Sequence, residues 1–137
     1  MKPERLKQIP LFSDLSNEAL ERLGGWADEV DLPAGKPLIS QGNFPHEFMV
    51  LESGTAEVTH DGKHLADLGP GDFFGEIALL EEQRRMASVV TTSEATVIVM
   101  HARNFRAMEE AMPEVAARIR TVMDERRESD RAKGIEA

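Results

Sequence analysis

Gly75, Glu76 and Arg85 lie within one short stretch of this 137-residue chain, and their chemistry suits a phosphorylated sugar. Arginine offers a planar, permanently charged fork that matches phosphate oxygens. An ionised glutamate only accepts hydrogen bonds, so it suits donors such as sugar hydroxyls. Glycine lets a ligand approach the backbone closely. Glu76–Glu82 is rich in Ala and Leu but too short for an ordinary helix, and it reads as one or two helical turns. Such a helix exposes unpaired N–H groups near Gly75 and Glu76, where the aligned peptide dipoles favour an anion. Taken alone, Arg85 reads as a surface arginine and Glu76 as a carboxylate stabilised by the helix dipole. It is the combination that points to a site.

The elements that must position these residues are visible in the pattern on either side. The stretch Gly69-Pro-Gly-Asp-Phe-Phe-Gly-Glu-Ile-Ala-Leu-Leu-Glu-Glu-Gln-Arg-Arg-Met-Ala-Ser-Val89 interrupts a region of short β segments, residues 28–101. Gly or Pro punctuation recurs there at Pro33-Ala34-Gly35, Gly42, Pro45, Ser53-Gly54, Asp61-Gly62 and Gly69-Pro70-Gly71. Strands are expected at Pro37–Gln41, Glu47–Glu52, Thr55–His60, His64–Leu68, Ala87–Thr92 and Ala95–His101. Many short strands at this spacing indicate a sandwich, jelly roll or barrel, not a parallel sheet. Asp61-Gly62 is a two-residue hairpin signal.

Helical periodicity flanks this region. Residues 4–27 read as helical, broken at Pro10, with Ser16 as an N-cap and Gly24-Gly25 as the end. In residues 102–131, Phe105, Met108 and Met112 share a face and Pro113 interrupts. Val115, Ile119, Val122, Met123 and Arg126 then follow a 3.6-residue period. Residues 133–137 are expected to fray. The length suits a single domain, residues 1–137.

Composition narrows the function classes. The 25 acidic and 16 basic residues leave a net charge of −9, which argues against direct nucleic-acid binding. Residues 113–137 carry six basic and six acidic side chains, so the whole excess lies in residues 1–112. An anionic ligand therefore requires a locally positive site. The absence of cysteine excludes disulfides, zinc thiolates and thiol catalysis, and fits a reducing cytoplasm. The longest apolar runs are four residues, against the roughly 20 a spanning helix needs, so no membrane insertion is expected. Charged Met1-Lys2-Pro3-Glu4-Arg5 has no apolar stretch behind it, so no signal peptide is expected. No Ser-His-Asp arrangement has a nucleophile setting, and Glu81-Glu82 reads as a solvated face, so no catalytic residue is assigned.

Residues 74–89 resemble the phosphate-binding cassette of the cyclic-nucleotide-binding domains, the family of protein kinase A regulatory subunits, cyclic-nucleotide-gated channels and the bacterial catabolite activator protein. Leu32-Pro-Ala-Gly35, Gln41-Gly42, Ser53-Gly54 and Gly69-Pro-Gly-Asp72 fall where members of that family turn, and the resemblance covers roughly residues 6–128. It implies a mainly β fold: an antiparallel β-roll or jelly roll with a short inserted phosphate-binding helix and flanking N- and C-terminal helices. It implies that Arg85 pairs with the cyclic phosphate, Glu76 with the ribose 2′-hydroxyl, and Gly75 and Ala78 through their backbones. Ile77 then lies against the sugar, Ala87 and Ser88 start the strand behind the ligand, and Val89 packs near the base.

Two positions depart from the family. Met86 lacks the hydroxyl that some members place after the arginine, though its N–H remains. Cyclic GMP binders often use Thr there, so cAMP is favoured and cGMP is the second option. Arg84 stands where many members have Pro and is expected to face solvent. Pro113-Glu114-Val115 and Glu125-Arg126-Arg127 resemble the end of the bacterial channel domains, which implies that Arg126 covers the base and that Arg126→Ala weakens cAMP binding. The resemblance also implies a regulatory, non-catalytic role read out by the last helix. The output is an effector protein or a linked output domain, and pairing with a second copy through that helix stays open. Three rivals share the fold: a roll that has lost nucleotide binding and serves protein contacts, a cyclic-dinucleotide site, and a metal-dependent jelly-roll enzyme. The last would need His46, His60, His64 or His101 as ligands, and these read instead as exposed strand-end histidines with no third ligand placed.

Overall fold

A computed structural model describes residues 1–81 and 83–132, the last three of these as backbone. Glu82 of the Glu81-Glu82 pair and the expected frayed end, residues 133–137, lie outside the described residues. The N-terminal helical region is three short pieces: α1 (Pro3–Lys7), a 3₁₀ turn (Pro10–Phe12) and α2 (Asn17–Gly24). Pro10 forces the break, and Ser16 caps α2 by accepting the Ala19 N–H at 3.1 Å. Eight strands follow: β1 (Asp28–Leu32), β2 (Pro37–Ile39), β3 (Glu47–Ser53), β4 (Ala56–His60), β5 (Lys63–Leu68), β6 (Phe73–Phe74), β7 (Ser88–Thr91) and β8 (Ala95–His101). The inserted helix α3 (Glu76–Leu80) stands between β6 and β7, and α4 (Ala102–Ala111) and α5 (Pro113–Ala132) close the chain.

The strands form two antiparallel four-stranded sheets, ordered β1-β8-β3-β6 and β2-β7-β4-β5. Their facing sides enclose one core, with Met49 and Leu51 of β3, Val97 of β8, Ala56, Leu68, Phe74 and Val89. The period of two along a strand sends Phe48 and Val50 of β3, and Ile98 and Met100 of β8, to the other side. There they meet Leu6, Phe12, Leu20 and Leu23 from the N-terminal helices, and Phe105, Met108, Val115 and Ile119 from α4 and α5. β3 is thus apolar on both faces, which explains the unbroken run Phe48–Leu51. The β4–β5 hairpin turns at Asp61-Gly62 with both residues at positive φ (51° and 78°), the geometry of a type I′ turn.

The expected strands are all present, with ends shifted by one or two residues. β1 and β6 are additions. β1 is mostly exposed and charged, and β6 has two residues, so neither carries a readable alternation. The helical segments end close to the expected bounds, and α4 gives way to α5 at Pro113 because proline removes an N–H that the helix interior needs.

Candidate ligand-binding site

The site grows from Gly75. Its φ of 90° permits the chain to leave β6 and enter α3 at once, and a Cβ there would lie 2.9 Å from Arg85 Nη1 and 3.0 Å from the Glu47 carbonyl. Arg85 occupies that space. Its Nη1 donates to the Gly75 carbonyl at 2.7 Å and its Nη2 to the Glu47 carbonyl at 2.6 Å. These bonds use two of the five guanidinium N–H groups and leave others for a ligand. The residue is buried. Burial draws its proton affinity below arginine's ordinary value, and the charges of Glu47 and Glu76 oppose that.

The Arg85 backbone is fixed as well. Its N–H donates to the Asn43 carbonyl and its carbonyl accepts the Gly42 N–H, each at 2.8 Å. Glu76, at the first position of α3, is 1% exposed. Arg126 of α5 reaches it, Nη1 to Oε1 at 2.7 Å, while Arg126 Nη2 donates to the Phe73 carbonyl and the guanidinium lies 5.0 Å from the centre of the Phe73 ring. Burial pushes the Glu76 carboxyl above the ordinary carboxylate range. The Arg126 charge, the residue's own backbone N–H and Arg85 pull it back.

Gly75, Glu76, Ile77, Ala78, Arg85, Met86, Ala87 and Arg126, the residues singled out from the sequence, all line one cavity of about 170 Å³. Val89 lines it too, whereas Ser88 turns away and its Oγ accepts the Gln41 N–H. The cavity is small beside the 300–1,000 Å³ usual for a ligand pocket, and α5 contributes Arg126 and Ser129 to its lining. Its charged lining is Arg85 and Arg126 against Glu76, a formal +1 in a chain of net −9. That meets the requirement for local positive charge.

Some lining residues were not anticipated. Val58 and His60 on β4 and Ala66 and Leu68 on β5 share a face at a spacing of two, which would have marked them once the hairpin was paired. Ser129 follows Arg126 by three residues on α5, a same-face spacing.

One expectation needs correction. His60 is not a freely exposed strand-end histidine: it lines the cavity and its Nδ1 lies 2.6 Å from the Met86 carbonyl. Glu81 is exposed and pairs with Arg127, whose Nη2 lies 2.5 Å from its Oε1. Arg84 is exposed, with its guanidinium 4.4 Å from the centre of the Phe44 ring. Among the described residues, no group of three or more His, Asp or Glu is arranged to hold a metal ion. No helix among them is long and apolar enough to cross a membrane.

Residues 29–111 match the family model for the cyclic nucleotide-binding domain. The chain belongs to that family. The cyclic AMP receptor protein of Thermus thermophilus is 31% identical over 131 residues, 91% of this chain and 61% of its own length. A cyclic nucleotide-gated potassium channel of Rhizobium etli is 32% identical over 120 residues, 87% of this chain and 33% of its own. The cAMP-bound protein PfPKA-R has the same fold, with a TM-score of 0.89 at 18% identity over 98% of this chain and 47% of its own. This cyclic nucleotide-binding domain is therefore a β-roll related to cAMP-binding regulatory proteins, and it spans between about a third and about three fifths of the length of these relatives.

Proposed function

We propose that this domain binds a cyclic mononucleotide in the cavity between α3, residues 85–87 and α5, with cAMP preferred over cGMP, and that it catalyses nothing. The convergence of Arg85, Glu76 and Arg126 on one cavity carries the reading. Arg85 takes the cyclic phosphate and Glu76 the ribose 2′-hydroxyl, with Gly75 and Ala78 contributing backbone contacts and Ile77 the floor under the sugar. The apolar wall of Val58, Leu68, Ala87 and Val89 supports a purine. Met86 offers a purine no hydroxyl, and its sulfur accepts from Gln83 Nε2 at 2.9 Å, which supports adenine over guanine. Arg126 serves as the residue of the last helix that senses the nucleotide, since it already sits on Glu76 and beside the cavity.

The signal leaves through α5, towards an effector protein or a linked output domain, in the cytoplasm. Ligand binding moves a helix only where the ligand contacts one arrangement better than the other, and the Arg126–Glu76 pair provides that difference, because the ribose competes for the same carboxylate.

The test is the melting temperature with and without millimolar cAMP or cGMP, beside an Arg85→Ala variant. A ligand at about 100 times its dissociation constant adds roughly 2.7 kcal/mol, enough to raise the melting point of such a domain by several degrees. The expected result is a larger shift with cAMP than with cGMP, and none in the variant. A cooperative melt unmoved by either nucleotide would instead assign the roll to protein contacts or to another ligand.

A further inference from the structure

His60 stands where the second sheet runs out of backbone pairing. β4 and β7 pair from Ala56↔Thr91 to Thr59↔Ser88, and after His60 the chain turns away at Asp61-Gly62. In place of another rung, the imidazole reaches across, and its Nδ1 lies 2.6 Å from the Met86 carbonyl oxygen. A carbonyl only accepts, so Nδ1 carries the proton in this contact. The other ring nitrogen, Nε2, lies 3.3 Å from Asp61 Oδ2. Gln41 braces the same turn: its Nε2 donates to Asp61 Oδ1 at 2.8 Å and its Oε1 accepts the Asp61 N–H at 2.9 Å.

The segment carrying Arg85 is therefore held from two sides. On one side lies the loop after β2, through Gly42 and Asn43 to the Arg85 backbone and through the Gln41 N–H to Ser88 Oγ. On the other lies His60, which lines the cavity together with Arg85, Met86 and Ala87. Fixing the Met86 carbonyl fixes the whole planar Met86–Ala87 peptide, one residue from the root of the Arg85 side chain.

We propose that His60 is a positioning residue for the nucleotide: its Nδ1–H locks the Met86 peptide and thereby the segment that presents Arg85 to phosphate. This rests on the reading of Arg85 as the phosphate ligand.

The experiment is calorimetric titration of cAMP into wild type, His60→Phe and His60→Asn, with melts of each in the absence of nucleotide. Phe keeps an aromatic ring of similar bulk and loses the donor; Asn loses the ring, but its Nδ2 can stand where Nδ1 stood. The expected result is an affinity about two- to tenfold weaker for His60→Phe, the range of one net hydrogen bond, with most of it restored in His60→Asn. ¹⁵N spectra of the wild-type imidazole, free of nucleotide, should show a protonated Nδ1. The opposite ranking would make His60 a packing residue and overturn the proposal, as would equal losses in both variants or a bare Nδ1. If wild type binds cAMP and both variants match it, the role of His60 alone is overturned. If wild type binds neither cAMP nor cGMP, the nucleotide reading falls and this role with it.

Discussion

Under the proposed function, Glu76 is the residue at which ligand binding and stability meet. A carboxylate 1% exposed has lost its water, and an arginine 2.7 Å away offsets only part of that cost. With burial the largest influence, the folded protein holds the Glu76 proton more tightly than the unfolded chain does, where the carboxyl titrates near 4. The folded value is raised, so the contribution is fully favourable below about pH 4 and is lost as pH rises through the folded value. Glu76→Gln removes this dependence while keeping the shape. Denaturant unfolding of both proteins between pH 4.5 and 7.5 should find wild type losing ground to Glu76→Gln as pH rises, by up to about 1.4 kcal/mol per unit within the window. A wild type that gains ground instead would mean that the Arg126 attraction outweighs desolvation. An acceptor kept at a cost to stability is what a binding site requires, and the same substitution should weaken nucleotide binding.

At the scale of elements, what was legible depended on how far each signal reaches along the chain. The Phe-Gly-Glu-Ile-Ala-Leu-Leu run announced α3 and, with Arg85, one side of the cavity, because those residues are neighbours in sequence. The opposite wall was not legible. Asp61-Gly62 announced the hairpin that pairs β4 with β5, but Val58, His60, Ala66 and Leu68 face the site only because β4 also pairs with β7, and nothing in the hairpin's residues names that neighbour. His60 looked like any strand-end histidine because its partner, the Met86 carbonyl, is backbone and leaves no mark in the sequence. The helices behind the site were legible from their period, and the structure adds which side chains bind them to the roll. Phe105 of α4 is 1% exposed, with its ring centre 4.9 Å from that of Phe48 on β3. Phe105→Ala should therefore cost about 3–5 kcal/mol in denaturant unfolding, the range for emptying a buried aromatic site. A loss under 1 kcal/mol would show that α4 is not anchored there.

Across the whole molecule, α5 touches both the site and the N-terminal helical segments. Ile119 and Met123 bury its inner face, and Arg118 reaches the Leu11 carbonyl at 3.0 Å and Asp14 at 2.6 Å. One to three turns further on, Arg126 and Arg127 pair with Glu76 and Glu81, the residues that start and follow α3. Under the proposed function, a nucleotide whose ribose claims Glu76 would have to displace the first of these pairs, and α5 would carry the change towards Arg118 and residues 11–14. Under the proposed function, the field of the molecule gives Arg126 a part in binding as well. It is one of two cations against Glu76 in the cavity lining, so Arg126→Ala takes that lining from +1 to neutral inside a chain of net −9. The variant should bind cAMP about tenfold or more weakly and stay folded, because α5 keeps its apolar face, but it should melt below wild type, because Glu76 is left buried without its arginine. Backbone NMR of the wild type should show cAMP-induced shifts both around the cavity and in residues 103–128, and in Arg126→Ala the second set should shrink while the first persists. Shifts confined to the cavity in the wild type would make α5 a static wall, and the signal would then have to leave by another element.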